Sequence, residues 1–212
     1  MAPIRKAALG WKFAIAVGTC LALCSGCSDY QQVVPPIAKR PGIAFLEQVK
    51  SNADVPKELG GVSFTDTSGS EVTLGDYLGK KHVVLVFTQG FSGMLCPFCK
   101  TQTSRLITNY QKFADLDAEV FVVYPGTRDH LEEFIEAAKT QESHVAAVPF
   151  PILLDEDLRG TRFFNIVSEF AHPSTFIIDK NGDVKLAYVG ADRSADRPSI
   201  EAMLSILETA QN

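Results

Sequence analysis

The sequence predicts an α/β fold with a mixed central β-sheet and helices on both of its faces. Residues 83–87 and 119–124 are apolar runs typical of strands buried on both sides. A helical pattern follows each run, and this alternation is typical of parallel strands joined by helices. Near the end of the chain, residues 174–179 and 184–189 flank Lys180-Asn181-Gly182-Asp183, where Asn-Gly favours a tight antiparallel turn.

Shorter signals predict the remaining elements. Residues 62–65 and 71–74 flank Asp66-Thr67-Ser68-Gly69, which indicates a hairpin. Thr127 is the predicted N-cap of the second helix. A third buried strand, a short helix and a final helix are predicted at residues 150–154, 157–163 and 198–209. A short amphipathic helix is predicted at residues 43–49, and the histidines at 82, 130 and 144 are interpreted as surface residues.

Cys96-Pro97-Phe98-Cys99 lies where the first apolar run gives way to a helical pattern. A C-x-x-C pair in that place is typical of a thioredoxin-like redox motif. The free N–H groups and the positive dipole end of a helix favour a thiolate at Cys96, and Lys100 adds a nearby positive charge. Pro97 suits the first helical turn. The motif therefore predicts Cys96 as the nucleophile and Cys99 as the thiol that resolves a mixed disulfide.

Metal binding is the main alternative for this cysteine pair. A structural zinc site needs four ligands, and the sequence has neither a second C-x-x-C nor an H-x-x-x-H pair. A c-type haem site needs His in the place that Lys100 occupies. Copper stays open, since thiolates and imidazole suit that metal and His172 could approach the pair in the fold. We predict no resident metal or cofactor.

The N-terminus has the pattern of a secretory signal. Three basic residues precede an apolar segment at residues 13–24, which is too short to span a bilayer as a helix. Leu23-Cys24-Ser25-Gly26-Cys27 resembles a bacterial lipobox, in which Cys27 becomes lipidated and N-terminal after cleavage. Ser28 after it permits sorting to an outer membrane. A plain cleaved signal and an uncleaved anchor are the alternatives.

The predicted organisation is a signal at residues 1–26, a tether at 27–56 and one domain at 57–212. The tether carries Pro35-Pro36 and Pro41, which break regular structure. Without the three basic residues of the signal, the formal net charge falls from −5 to −8, which argues against nucleic acid as a partner. Cys96 and Cys99 are then the only cysteines besides Cys27, so no purely structural disulfide is expected.

Several separated stretches resemble one known family. Residues 72–80, residues 83–87, the cysteine motif and residues 173–182 resemble the alkyl hydroperoxide reductase/thiol-specific antioxidant (redoxin) family of the thioredoxin superfamily. Asp196-Arg197-Pro198-Ser199 is similar to its peroxiredoxin-like branch. The resemblance spans about residues 57 to 210 and implies a thioredoxin-like fold.

Departures from the family pattern bear on the chemistry. Peroxide-reducing members carry Pro-x-x-x-Thr-x-x-Cys and an arginine before the last central strand, and these groups hold and polarise the peroxide. The matching positions are Gln89, Gly93 and Pro173. By the resemblance, Pro173 stands where thioredoxins keep a cis-proline that shapes the substrate groove, which implies a cis His172–Pro173 bond. His172 could also stabilise the Cys96 thiolate when it is protonated.

The sequence therefore predicts an exported, membrane-tethered thiol–disulfide oxidoreductase of the bacterial cell envelope, lipid-anchored through Cys27 and facing the periplasm. Cys96, Cys99, Pro173 and His172 are its predicted site residues. Its expected partners are a protein or small-molecule disulfide or thiol substrate, an upstream thiol electron donor and the membrane. A thiol peroxidase of the same family is the first alternative, and a copper-binding metallochaperone of thioredoxin fold is the second.

Overall fold

The computed structural model of the chain describes residues 44–142, 144–190 and 196–211. The predicted signal, Cys27 and residues 27–43 of the predicted tether lie outside these residues. The described strands are β1 Ala44–Leu46, β2 Ser63–Asp66, β3 Glu71–Thr73, β4 His82–Phe87, β5 Ala118–Pro125, β6 Ile152–Asp155, β7 Ser174–Ile178, β8 Val184–Val189 and β9 Asp196–Pro198. The described α-helices are α1 Pro97–Ala114, α2 Leu131–Gln141, α3 Arg159–Phe163 and α4 Ile200–Ala210.

Seven of the described strands form one mixed sheet in the order β3-β2-β6-β5-β4-β7-β8. β4, β5 and β6 are parallel neighbours, while the outer pairs are antiparallel. The mixed sheet and both predicted hairpins are therefore confirmed. β4 lies between β5 and β7, so the chain that leaves its carboxyl end emerges from the middle of the sheet.

Side chains of the central strands alternate between two cores, as the period of a strand requires. Val84 and Val86 of β4 face a core that includes Leu106 of α1, Phe134 of α2 and Met203 of α4. Val83, Leu85 and Phe87 of β4 face a second core, with α3 on that side of the sheet. That core is rich in aromatic rings, which include Phe64, Phe87, Phe121, Phe164 and Phe176. Helices thus cover both faces, as predicted.

Residues 44–55 pack along one edge of the domain. β1 pairs in parallel with β9, so the helix predicted at residues 43–49 is wrong. Asn52 lies beside the edge strand β8. Its side chain accepts from the Val189 N–H at 2.8 Å and donates to the Val189 carbonyl at 2.9 Å. These bonds satisfy backbone groups that an uncovered edge would leave open. This part of the predicted tether therefore lies against the domain.

The start of α2 also differs from the prediction. Its N-cap is His130, in a left-handed conformation with φ +59°, and Thr127 instead donates from its hydroxyl to Asp129 at 2.7 Å. Thr127 is too far upstream because the turn after β5 is longer than the apolar spacing suggested. His82 is 2% exposed rather than on the surface, because the strand that it begins lies inside the sheet. Burial lowers the pKa of His82.

Phe170 packs against both of the loops that follow β4 and β5. Gly90 and Gly126 have φ values of +76° and +88°, and a Cβ at either position would meet Phe170. At Gly126 the aromatic ring would lie only 2.8 Å from that Cβ. Glycine at both positions lets residues 167–171 lie close over the carboxyl ends of β4 and β5, beside the loop that leads to Cys96.

We expect Gly126→Ala to destabilise the protein more than Gly69→Ala. Gly69 has nearly the same φ, +90°, but open space around its missing side chain, so it reports backbone strain alone. The overpacking against Phe170 should add about 1–3 kcal/mol to the loss at Gly126. Urea unfolding of the two variants measures the difference, and Phe170→Leu should restore part of it. Equal losses in both variants would contradict the close packing.

Candidate redox site

The dithiol lies at the start of α1, above the carboxyl end of the central strand β4. Cys96 is the N-cap, and its Sγ accepts the Cys99 N–H at 3.3 Å. Pro97 occupies the first helical turn, where its missing N–H leaves no bond unmade. Both cysteines are unpaired thiols, 8% and 2% exposed respectively. α1 therefore begins where the sequence predicted, with the two sulfurs on its first turn.

The two thiols have opposite pKa shifts. A hydrogen bond from the Cys99 thiol is the largest influence on Cys96, and with the Cys99 N–H and the charge of Arg197 it outweighs burial and lowers the pKa of Cys96 to about 6. The same hydrogen bond, burial and the negative charge of Cys96 raise the pKa of Cys99 well above its ordinary value. At neutral pH the reduced site therefore holds a thiolate at Cys96 and a thiol at Cys99.

Arg197 is the buried cation of the site, and sequence reasoning assigned it no role. The residue is 2% exposed, and its Nη2 lies 4.0 Å from Sγ of Cys99. It is 98 residues from Cys99 along the chain, so the tertiary fold alone brings the two together. The available signal was Asp196-Arg197-Pro198-Ser199, a family-like motif that does not reveal its contacts.

His172 and Pro173 lie at the same end of the sheet as the dithiol. They precede Ser174, the first residue of β7, which pairs with Phe87 at the end of β4. The half-buried His172 donates its N–H to the Ile166 carbonyl at 2.7 Å. Both residues therefore lie at the end of the sheet from which the chain leads to Cys96, and their roles in the site stay predictions.

The expected cis bond at Pro173 is wrong. No peptide bond among the described residues is cis, so the His172–Pro173 bond is trans, as most bonds before proline are. Hydrogen bonds hold the segment in this form, because the His172 carbonyl accepts from the Ser174 hydroxyl at 2.8 Å and the Pro173 carbonyl accepts from the Gly190 N–H at 2.9 Å.

The positions that match the peroxidase pattern carry different groups. Gly93 is exposed with φ +80° and has no side chain to donate. Pro173 is buried and lacks an N–H. Arg162, on α3, is exposed, and its guanidinium donates to the Asp157 carbonyl. Among the described residues, Arg197 is the cation that contacts the dithiol.

The described part of the chain holds no cluster of three or more His, Cys, Asp or Glu side chains that could bind a metal. Copper(I) at Cys96 and Cys99 would therefore have two thiolates and no third ligand of these types among those residues. The same residues contain no helix long and apolar enough to cross a membrane.

Two large apolar side chains among the described residues are exposed. Met94, two residues before Cys96, is 58% exposed, and Val167 is 49% exposed. Val167 pairs with Ala171 across the segment whose Phe170 packs on Gly90 and Gly126.

Comparison with known proteins places this geometry in a family. Residues 55–187 match the AhpC/TSA family, and that match covers more than half of the chain. The chain belongs to the AhpC/TSA family. It is an oxidoreductase of that family, because its matched relatives are peroxiredoxins and thiol–disulfide oxidoreductases.

Three curated relatives show both branches. Peroxiredoxin Bcp of Bacillus subtilis is 30% identical over 54% of this chain and 71% of its own length. Alkyl hydroperoxide reductase C of Staphylococcus haemolyticus is 31% identical over 58% of this chain and 62% of its own length. Thiol-disulfide oxidoreductase ResA of Geobacillus kaustophilus is 30% identical over 62% of this chain and 67% of its own length. The chain thus spans 62–71% of the length of these relatives.

Solved structures of AhpC/TSA proteins share the fold. A peroxiredoxin 6 of Arenicola marina superposes with a TM-score of 0.62 at 18% identity, over 77% of this chain and 74% of its own. A peroxiredoxin Q of Xanthomonas campestris superposes with a TM-score of 0.55 at 19% identity, over 77% of this chain and 100% of its own. At these identities the likeness shows the thioredoxin-like fold, which confirms the predicted fold class.

We expect alkylation of the reduced protein to label Cys96 with a midpoint near pH 6, while Cys99 stays unlabelled through neutral pH. Cys99→Ala keeps the backbone N–H but removes the thiol that donates to Cys96, so the midpoint should rise. Mass spectrometry of each cysteine after short alkylation at a series of pH values measures both. Equal labelling of the two cysteines in the wild-type protein would contradict the asymmetry.

The stability of the reduced protein should follow the same titration. The folded pKa of Cys96, about 6, lies below the value of about 8.5 for an unfolded cysteine. The thiolate therefore contributes stability that is present above the unfolded pKa and is lost as the pH falls through 6. Cys96→Ala should lack this loss in urea unfolding under reducing conditions. An identical pH dependence in both proteins would contradict the lowered pKa.

Proposed function

We propose that this chain is an exported, membrane-tethered thiol–disulfide oxidoreductase that uses the Cys96/Cys99 pair. The observation that carries this proposal is the arrangement of the two sulfurs, with Cys96 as a stabilised thiolate and Cys99 as a thiol hydrogen-bonded to it. A nucleophile and a resolving thiol on one helical turn are what disulfide exchange requires. The relationship to ResA supports the same reaction.

The reaction proceeds in two exchange steps. The Cys96 thiolate attacks one sulfur of a substrate disulfide, forms a mixed disulfide and releases the other sulfur as a thiolate. The Cys99 thiolate then attacks Sγ of Cys96, which forms the Cys96–Cys99 disulfide and expels the second substrate thiolate. Two electrons pass to the substrate, and each released thiolate takes up a proton. The reverse sequence oxidises a dithiol substrate.

The surroundings of the site favour an extended disulfide-bearing segment as substrate. Cys96 is only slightly exposed, so a broad, rigid surface could not bring its sulfur into line. Met94, two residues before Cys96, and Val167 are exposed apolar side chains that such a segment can contact. An extended segment can present its disulfide to Cys96, with Pro173 as the proposed groove residue at the same end of the sheet. His172 is the proposed tuning residue at the same edge.

A thiol peroxidase is the second candidate. Peroxiredoxin Bcp and alkyl hydroperoxide reductase C are its support, together with the buried guanidinium of Arg197 beside the dithiol. In this reaction the Cys96 thiolate would attack one oxygen of the peroxide and break the O–O bond, so that Cys96 becomes a sulfenic acid and the other oxygen leaves as an alcohol or water after it takes up a proton. The Cys99 thiol would then attack the sulfenic sulfur, form the Cys96–Cys99 disulfide and release water. The weakness of this candidate is that Gly93 and Pro173 cannot supply side-chain donors to the peroxide.

We expect disulfide exchange to outrun peroxide reduction. A fixed donor aimed at developing charge contributes roughly 10²–10³-fold in rate, and the side-chain donors of the peroxidase pattern are missing. The reduced protein should reduce a model protein disulfide, and Cys99→Ser should accumulate mixed disulfides on Cys96. Cys96→Ser is the matched control and should trap none. Oxidation of Cys96 by hydrogen peroxide far faster than that of a free thiolate would favour the peroxidase.

Membrane attachment is proposed to occur through a lipid on Cys27. The short apolar segment and the lipobox-like Leu23-Cys24-Ser25-Gly26-Cys27 support this proposal. Stable attachment requires more than one acyl chain, since a single chain binds only marginally. The lipid would hold the redox domain at the envelope face of a bacterial membrane, within reach of exported substrates.

Cys27→Ala should therefore release the protein from membranes. Expression with the native signal, followed by membrane fractionation and mass spectrometry of the N-terminus, measures both attachment and cleavage. Cys99→Ala is the matched control, because it removes a cysteine without affecting the anchor. Soluble wild-type protein, or an intact N-terminus on it, would contradict lipidation.

A further inference from the structure

We propose that Arg197 is a catalytic residue that stabilises the thiolate of Cys99 while Cys99 resolves a mixed disulfide on Cys96. This inference rests on the proposed function, because a resolving step exists only in a dithiol mechanism. It assigns a chemical task to the buried cation that the structure places against the second sulfur.

Cys99 has to form a negative charge where water hardly reaches it. The residue is 2% exposed, and burial disfavours the thiolate that must attack. Two groups oppose this cost: Nη2 of Arg197 lies 4.0 Å from Sγ, and a backbone hydrogen bond from Gln89 lowers the pKa of Cys99. Tyr124 adds no charge nearby, because burial chiefly raises its pKa to about 12. Within the part of the chain that the structure describes, Arg197 is thus the full positive charge in contact with the resolving sulfur.

Formation of the mixed disulfide shifts Cys99 from its protonated form toward its thiolate. In the resting site, the hydrogen bond to Cys96 and the negative charge of Cys96 both hold the proton on Cys99. Once Cys96 is bonded to a substrate sulfur, that charge is gone, while Arg197 and the Gln89 N–H remain. Cys99 then releases its proton, attacks Sγ of Cys96 and expels the substrate sulfur as a thiolate, which takes up a proton. Arg197 therefore favours the reactive form of Cys99 at the step that needs it.

The fold holds Arg197 in position through β9. Phe45 of β1 lies opposite Arg197 in the parallel β1–β9 pair. Nη1 of Arg197 donates to the Asp196 carbonyl at 2.5 Å, and the N–H of Ser199 donates to the Leu46 carbonyl at 3.0 Å. Backbone pairing of the residues before and after Arg197 therefore fixes its Cα, and the bond to the Asp196 carbonyl helps to hold the guanidinium beside Cys99.

A single-turnover reaction with an aromatic disulfide that releases a coloured thiol separates the two steps. The first release reports attack by Cys96, and the second reports resolution by Cys99. In Arg197→Met the second phase should slow about tenfold at neutral pH, as a rise of one unit in the pKa of Cys99 would cause. The first phase should change less, because hydrogen bonds from Cys99 influence Cys96 more than Arg197 does.

Two further variants separate charge from packing. Arg197→Lys keeps the charge and should restore much of the second phase. Arg105→Met is the matched control, because Arg105 packs on the same strand β1 through the ring of Phe45, 3.9 Å away, and pairs with Glu142. A second phase that is unchanged in Arg197→Met, or equally slow in Arg105→Met, would overturn the role of Arg197. A wild-type protein that releases only one coloured thiol would instead refute the dithiol mechanism itself.

A measurement with Arg197 intact gives an independent test. In Cys96→Ala the thiolate that repels charge on Cys99 is absent, as it is in the mixed disulfide. The pKa of Cys99 in this variant, followed by alkylation, should lie below its value in the reduced wild-type protein. It should rise again in the Cys96→Ala/Arg197→Met double variant. A Cys99 pKa that does not respond to Arg197 would overturn the proposal.

Discussion

Two hydrogen bonds from Cys99 to Cys96 are the interactions on which the chemistry of this protein depends. The bond from the Cys99 thiol has the largest influence on the pKa of Cys96. The bond from the Cys99 N–H to Sγ of Cys96 lowers the same pKa and also caps α1. It exists because α1 begins immediately after Cys96, so that the N–H groups of the first turn have no backbone acceptor. A sulfur placed there satisfies an open donor and is itself stabilised as a thiolate. The contact that caps the helix thus also contributes to nucleophile activation, and the Cys99 thiol adds the larger share.

The sheet determines where this contact occurs. β4 lies between β5 and β7 with all six of its residues buried, so its carboxyl end is held firmly from both sides. The loops after β4 and β5 converge there with the segment before β7, and Phe170 packs against both loops. A reactive first turn placed at this point has rigid support from the sheet, and its nucleophile is 8% exposed. The AhpC/TSA fold therefore supports both disulfide exchange and peroxide reduction, and the groups around the sulfurs decide between them.

The sequence predicted most elements because their signals are local. Continuous apolar runs identified β4, β5 and β6, and Asn181-Gly182 identified the hairpin of β7 and β8. The errors occur where distant contacts override local preference. Residues 44–46 form a strand because β9 is available to pair with them, and His82 is buried because neighbouring strands surround it. The residues next to 44–46 and to His82 in the sequence do not reveal which distant strands will pack against them.

The sequence by itself determined the position of the dithiol, the start of α1 and the identity of the two thiols, because capping and apolar periodicity act over a few residues. Only the tertiary structure decided which charge meets those thiols. Arg197 reaches Cys99 across 98 residues, through a strand pair that local propensity does not encode. Lys100, close in sequence, was the expected cation, whereas Arg197 is the one that the fold buries against the sulfur. Electrostatic interaction depends on distance and burial in space, and both are properties of the folded chain.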